Sequence, residues 1–154
     1  MKLRTIVFTL ALALTSLTLC FAENPNLGTW KLNEAKSKFG PAAAKNNTVV
    51  FEAAGDEIKI TTDGVDGQGN PMHRQWKGKF DGKDYPLSGD PNSGTRAYKV
   101  INDRIMEGID KRDGKVTTTA RIVLSADGKT RTVTVKGTNA AGKPVHSKAV
   151  YEKQ

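Results

Sequence analysis

Arginine and tyrosine side chains alternate with large apolar residues in two stretches of the chain, and these residue types together are suited to binding an anion. Arg74 lies on the same face as Trp76 and Phe80 if this stretch is a strand, because alternate residues of a strand point to one side. Arg96 shares a face with Tyr98 in the same way. An arginine inside a core implies a bound anion, an acidic neighbour or ordered water, since an unpartnered buried charge is costly.

Two interpretations of Arg74 remain open at this stage. The apolar face of its strand should point inward, which would carry the guanidinium into the interior as an anion anchor. A position near the rim, with the guanidinium in solvent and the stem against apolar surface, is the simpler interpretation of the pattern.

Residues for catalysis or metal binding are scarce. The two histidines, His73 and His146, fall on faces predicted to point outward, and neither has a second ligand at metal spacing. No serine lies in a Gly-x-Ser-x-Gly elbow, and no Gly-rich phosphate loop precedes a helix. The loop over 63–70 lacks the residue order of a calcium site. We therefore expect no enzyme, no metal and no cofactor.

Turn residues divide the chain at short intervals. The triplet Asp-Gly-Lys occurs at 81–83, 113–115 and 127–129, and Asp-Gly is a strong hairpin signal because both residues tolerate positive φ. No stretch resembles an interdomain linker. Many short strands separated by such turns predict a barrel or a sandwich.

The segments between the turns are rich in Thr, Val, Ile and aromatic residues, as strands are. The clearest alternation places Val133 and Val135 on one face. Only 34–46 is a candidate helix, capped by Asn33 and ended by Gly40 and Pro41. The predicted strands are approximately 27–33, 47–53, 57–63, 71–80, 84–87, 95–101, 104–109, 115–125, 129–138 and 144–153.

These elements predict an all-β protein, an antiparallel up-and-down meander barrel of about 8–10 strands. An open sheet of this many strands would leave unpaired edges, and closure removes them.

Residues 1–22 have the pattern of a signal peptide, which we expect to be a helix. Lys2 and Arg4 form the positive start, the apolar stretch covers 6–19, and Ala22 fits the small-residue cleavage rule. The apolar stretch is shorter than the ~20 residues that span a bilayer as a helix, so no transmembrane segment is expected. Cleavage after Ala22 leaves 23–154 as one barrel domain, exported to the periplasm or secreted.

Cys20 is the only cysteine and allows a second fate for the export segment. It could carry a lipid anchor, although Leu19 stands where such a signal prefers a small residue. The fit of Ala22 favours cleavage over lipid attachment. In both cases the folded part has no disulfide.

The charge pattern argues against nucleic-acid binding. The chain has 24 basic and 16 acidic residues, and loss of Lys2 and Arg4 would leave 22 basic residues and a net charge of +6. The basic residues are spread along the strands, whereas nucleic-acid binding requires a concentrated patch with aromatic residues between the charges.

At this point the chain resembles the calycins, the superfamily of lipocalins and fatty-acid-binding proteins, as an exported bacterial-type member. Gly28-Thr29-Trp30 matches the Gly-x-Trp signature of their first strand, and the closing segment 150–153 resembles their last strand. The resemblance implies that Trp30 plugs one end of the barrel and that Gly28 allows close packing there.

The resemblance also implies a site for an anionic head group, formed by inward arginines and a tyrosine on the last strand. Tyr151 matches that tyrosine, and Arg121 lies near one family arginine, but Ala149 occupies the position of the other. Arg121 remains ambiguous, because an inward face containing Ile122 and Leu124 would turn it outward. The short 34–46 segment cannot form the family's two-helix lid, so we expect a more open mouth.

The expected function is therefore that of a lipocalin-like protein that holds an apolar or amphipathic small molecule. Trp76, Phe80 and Tyr98 would line or pack the interior, and Arg121, Tyr151 and Arg74 would meet a polar head group. The alternative is a ligand-free envelope or extracellular module that interacts through its surface and loops. A barrel enzyme would require an interior carboxylate, for which Glu52 and Glu107 are the candidates.

Overall fold

Ten antiparallel strands close into a barrel in the computed structural model of this chain, which describes residues 24–89, 94–139 and 141–154. The strands are β1 (Gly28–Phe39), β2 (Lys45–Ala54), β3 (Glu57–Val65), β4 (Pro71–Gly78), β5 (Tyr85–Ser88), β6 (Thr95–Asn102), β7 (Ile105–Arg112), β8 (Lys115–Leu124), β9 (Thr130–Thr138) and β10 (Pro144–Lys153). Each strand pairs with the next one in sequence, and β1 pairs with β10 to complete the ring. The predicted fold class is confirmed, and the predicted signal-peptide helix lies outside the described residues.

The two ends of the barrel carry different loops and chain ends. The mouth is the end that carries the loops 40–44, 66–70 and 113–114. The closed end is the opposite one, where β1 begins and β10 ends. Both ends of the described chain, at Asn24 and Gln154, lie at the closed end, and the Gln154 amide donates to the Thr29 carbonyl (3.0 Å).

Strand β4 shows how alternation positions the interior residues. A strand with one face in the core and one in solvent reads as alternating buried and exposed positions. The buried residues are Arg74, Trp76 and Gly78, and the exposed ones are His73, Gln75 and Lys77. Arg74 is therefore inside the barrel and not in solvent at the rim.

The β7–β8 turn has the conformation that its residues predict. Asp113 and Gly114 have φ values of 49° and 73°, and they connect the paired residues Arg112 and Lys115. Two consecutive positive φ values are required by the two-residue hairpin turns that match the twist of paired strands. Asp-Gly satisfies this requirement with little steric cost.

The prediction of a helix over 34–46 is wrong, because β1 continues to Phe39. Its pairing with β10 is interrupted by a bulge between Asn33 and Lys38. The Lys36 amide donates to Asn33 Oδ1 (3.1 Å), so Asn33 caps this bulge instead of a helix. The Ser37 hydroxyl accepts a hydrogen bond from the Val150 amide (2.9 Å) and thereby replaces a missing strand partner. Pairing with β10 outweighs the weak local helix signal.

Trp30 fills the closed end of the barrel. Its side chain is 0% exposed, and its indole Nε1 donates to the Asn26 carbonyl (2.9 Å). Gly28 has a φ of 111°, and a Cβ at this position would lie 3.1 Å from Lys153 Cε. Any larger residue at 28 would therefore be strained where β1 enters the barrel.

Candidate functional site

A cavity of about 460 Å³ lies inside the barrel and extends to the mouth loops. Its walls combine apolar side chains with a few buried polar ones. The apolar members include Val49, Phe51, Ala120, Ile122, Val133 and Ala149. The polar members form two groups, one near the closed end and one nearer the mouth.

Among the described residues that line the cavity, Arg131 is the charged residue nearest the closed end. It is the second residue of β9, it lines the cavity, and it is 3% exposed. Its guanidinium carbon lies 4.6–5.1 Å from the ring centroids of Phe51, Trp30 and Tyr151. These cation–π contacts partly compensate the buried charge.

The hydrogen bonds of Arg131 are incomplete. Its Nε and Nη1 atoms are buried and have no acceptor among the described residues. Burial lowers the pKa of Arg131 to about 10, so the guanidinium remains charged at neutral pH. Nε and Nη1 are enclosed, whereas Nη2 is not among the enclosed atoms. A buried cation without a carboxylate beside it favours an anion at Nη2, in the adjoining space.

Arg96 and Asp110 form a buried ion pair in the interior. Arg96 donates from Nε to Asp110 Oδ1 (2.5 Å) and from Nη2 to Oδ2 (2.7 Å), and the Thr118 hydroxyl also donates to Oδ2 (3.1 Å). Burial alone would raise the pKa of Asp110, but the charge and hydrogen bonds of Arg96 outweigh it and hold this pKa below its usual value. The carboxylate is therefore ionised and fully engaged.

Arg74, Asn46 and Tyr151 form the opposite part of the wall. Arg74 Nη2 donates to Asn46 Oδ1 (2.5 Å). Burial raises the pKa of the Tyr151 phenol despite the nearby charge of Arg131, so the phenol is neutral at physiological pH. This wall therefore presents a cation and a neutral phenol to the cavity.

Two buried hydroxyl groups among the described residues line the cavity without using their hydrogen-bonding capacity on the protein. Thr62 is 4% exposed and Ser147 is 9% exposed. Neither hydroxyl makes a hydrogen bond to another residue in the described ranges, and neither is among the enclosed unsatisfied atoms. Both are therefore accessible to a molecule in the cavity.

The residues expected to form the site divide into three groups: those that line the cavity, those in the packed core, and Arg121 on the outer face. Arg74, Tyr98 and Tyr151 line the cavity, as do Val133 and Val135.

Trp76 and Phe80 belong instead to the packed core. Their rings stack at 6.1 Å, and the Trp76 indole donates to the Arg96 carbonyl (2.9 Å). They support the wall through Tyr98, whose ring lies 5.0 Å from that of Trp76.

Arg121 does not line the cavity, and its expected contact with a head group is corrected. Its side chain is 52% exposed on the outer face, and Nη1 donates to Glu107 Oε1 (3.2 Å). The neighbouring Ile122 and Leu124 are buried, so the alternation of β8 turns Arg121 outward.

Among the described residues, the buried carboxylate is Asp110, and neither Glu52 nor Glu107 occupies that role. Glu52 lies close to Lys59 on the exterior (3.7 Å). Asp110 follows the buried residues Met106 and Gly108 at alternate positions of β7, which is the signal that could have found it.

Arg131 was also missed, although a signal was present. It shares the inward alternation of Val133 and Val135 on β9. Thr62 and Ser147 carried no comparable signal, because threonine and serine are common on both faces of strands.

Other chemical features are limited within the described ranges. His73 and His146 are exposed, and His73 Nδ1 lies 2.6 Å from Asp63 Oδ1. The described residues contain no cluster of His, Cys, Asp and Glu that could hold a metal ion. In the same ranges, no helix has the length and apolar character needed to cross a membrane.

Comparison with known proteins gives no matching family model and no matching curated sequence. The closed ten-strand antiparallel barrel fits a calycin-like fold in general terms. A barrel fold alone does not determine a function, which depends on the residues of the site.

Proposed function

We propose that this protein is an exported binding protein that holds a small apolar or amphipathic molecule inside the barrel. The single observation that carries the proposal is the cavity of about 460 Å³. Ligand sites typically have about 300–1,000 Å³, with apolar walls and a few convergent polar groups. The export pattern of residues 1–22 supports action outside the cytoplasm.

Apolar contact alone could hold such a molecule. Burying roughly 200–300 Å² of apolar ligand surface contributes about 5–7 kcal/mol at ~25 cal/mol per Å², before the costs of association. A strong polar anchor is therefore not needed for binding, and the polar groups would select which molecule binds.

The buried guanidinium of Arg131 favours a ligand with an anionic group. Arg131 has no carboxylate beside it in the described part of the chain, and Tyr151 offers a neutral phenol next to it. Arg74 also lines the cavity, where its Nη2 donates to Asn46 Oδ1. An anionic head group at this end replaces the lost hydration of Arg131, which supports an amphipathic ligand over a purely apolar one.

Binding without catalysis is the role that these contacts support. Both oxygens of Asp110 accept hydrogen bonds from Arg96, and Oδ2 also accepts one from Thr118. The depressed pKa of Asp110 makes it a poor general base, since an efficient base has a pKa near the working pH.

An interaction module that acts through its surface is the second candidate. It is favoured by exposed apolar side chains near the closed end, where Val100, Ile101 and Val123 are each more than one-third exposed. Exposed apolar side chains of this kind can mark a partner-binding surface.

Native mass spectrometry of the protein purified from its own cells tests both candidates. A discrete extra mass that is lost on gentle activation supports the carrier function and begins to identify the ligand. The bare protein mass favours the surface module. In the same spectrum, a chain that begins at Glu23 supports cleavage after Ala22, and an added acyl mass at Cys20 would show lipid attachment.

Filling the cavity provides the matched mutational test. Val133 lines the cavity, whereas the adjacent Thr134 does not and pairs with the outward-facing Arg121. We expect Val133→Phe to reduce ligand occupancy at least tenfold, because the larger ring takes the ligand's volume, and Thr134→Phe to retain it. Equal occupancy in both variants, measured by native mass spectrometry, would contradict binding inside the barrel.

A further inference from the structure

The accessible hydroxyls and the unpaired guanidinium lie at different depths of the cavity. Arg131 is near the closed end, at the start of β9. Ser147 is near the mouth, in the first half of β10, and pairs with Val135. Val135 is four residue steps after Arg131 on β9, which corresponds to about 13 Å along a strand at ~3.3 Å per residue.

Apolar side chains separate these two levels. Val133 lies between Arg131 and Val135 on the inward face of β9, and its partner on β10 is Ala149. Its partner on β8 is Ile122, and all three residues line the cavity. From the closed end to the mouth, this wall therefore presents first the guanidinium of Arg131, then the apolar side chains around Val133, and then the hydroxyl of Ser147.

Thr62 adds a second hydroxyl on another wall. It lies on β3 opposite Arg74 of β4 and lines the same cavity. A purely apolar tail placed against Thr62 and Ser147 would remove water from both hydroxyls and return no hydrogen bond, which is unfavourable. A polar group on the ligand at this level would satisfy them.

We propose that the ligand has two polar ends: an anionic group held at Arg131, and a hydrogen-bonding group such as a hydroxyl held at Ser147 and Thr62, with an apolar body between them. This assignment presupposes the carrier function proposed above. The ligand class is a hydroxylated amphipathic acid, as distinct from a simple fatty acid. Adding a hydroxyl to the tail should strengthen binding, whereas in an apolar cavity it would weaken it.

Isothermal titration calorimetry with three ten-carbon probes measures whether a hydroxyl on the tail strengthens or weakens binding. The probes are decanoate, 10-hydroxydecanoate and decan-1-ol, applied to the protein from Glu23 to Gln154. We expect 10-hydroxydecanoate to bind about three to ten times more tightly than decanoate, because one neutral hydrogen bond is gained. Decanoate should bind at least about tenfold more tightly than decan-1-ol, because a charge-assisted contact to Arg131 is gained.

Variants test which residues cause each of these two differences in affinity. The double variant Ser147→Ala and Thr62→Val should bind 10-hydroxydecanoate no more tightly than decanoate. Arg131→Gln should remove the preference for decanoate over decan-1-ol. Thr134→Val is the matched control, because it removes a threonine hydroxyl outside the cavity, and it should keep both preferences. Circular dichroism melts show whether each variant is folded, and the probe comparison on the unmodified protein is decisive without them.

The outcomes separate the two levels of proposal. If 10-hydroxydecanoate binds as decanoate does, or more weakly, the two-ended ligand is overturned and the carrier function stands. If none of the three probes binds, the two-ended ligand is likewise overturned, and the co-purified mass in native mass spectrometry decides the carrier function separately. If the preferences persist in the variants, the assignment to Arg131, Ser147 and Thr62 is overturned.

Discussion

Two ion pairs, each with a carboxylate on β7, show how burial changes what an ion pair contributes to stability. Asp110 and Arg96 are paired inside the barrel, with side chains 11% and 15% exposed. Glu107 and Arg121 are paired outside, with both side chains about half exposed. Exposed pairs are screened by water and contribute little, whereas loss of one partner of a buried pair leaves an uncompensated charge.

Removing each carboxylate should therefore give very different results. We expect Asp110→Asn to lower the free energy of unfolding by about 3–5 kcal/mol, because Arg96 would remain buried without its partner. Glu107→Gln is the control and should change it by about 1 kcal/mol or less. Urea denaturation at pH 7 measures both, and similar losses in the two variants would contradict the burial argument.

The contribution of Asp110 should also depend on pH. Its folded pKa is lowered, so the stabilisation is fully present above the pKa of the unfolded chain and is lost as the pH falls through the lower, folded pKa. The difference in unfolding free energy between the wild type and Asp110→Asn should be constant above about pH 5 and should shrink below about pH 4. A difference that persists undiminished to about pH 2 would show that Asp110 does not titrate in this way.

At the scale of the element, β5 is the weakest part of the ring. It has four residues and shares only two register pairs with each neighbour, at Gln75 and Trp76 of β4 and at Thr95 and Arg96 of β6. In contrast, β2 and β3 are paired over nine positions. Segments with few backbone hydrogen bonds open at lower free energy than the rest of the fold.

Amide hydrogen exchange should reveal this difference. We expect the amides of Leu87 and Ser88 to exchange at least about tenfold faster than those of Phe51 and Ile60, because local opening of β5 breaks fewer strand pairs. The measurement is native-state exchange followed by mass spectrometry or NMR. Equal protection of β5 and the β2–β3 hairpin would mean that the ring opens only as a whole.

The first strand shows why one element was predicted wrongly. The residues after Asn33 contain helix-compatible side chains and a capping residue, but they lie opposite β10, and the extended strand with its bulge prevails. Pairing of β1 with β10 is what closes the barrel, and this contact between distant parts of the chain is not visible in a local window.

At the scale of the whole molecule, ligand binding should be coupled to stability. A ligand that binds only the folded barrel, present at 100 times its dissociation constant, should raise the free energy of unfolding by about 2.7 kcal/mol. Urea denaturation with and without 10-hydroxydecanoate measures the shift, and Val133→Phe serves as the variant with reduced cavity volume. A shift of equal size in that variant would place the binding elsewhere on the protein.

The strands and turns were largely determined by the sequence itself, because their signals are local. Period-two alternation and Asp-Gly turns depend on residues one or two positions apart, so ten strands could be placed and an antiparallel barrel predicted. The inward face of β4, with Trp76, followed from the same rule, but the sequence did not decide whether Arg74 lies inside the barrel or at its rim.

The contents of the interior were decided only by the tertiary structure. The alternation of side chains along a strand assigns residues to two faces. It does not show which face points inward when both carry apolar residues, as in β8, the strand of Arg121. It also cannot show that Asp110 meets Arg96 on the neighbouring strand or that Arg131 has no carboxylate beside it. These properties depend on register between strands and on the volume that ten strands enclose, and both are set by long-range packing.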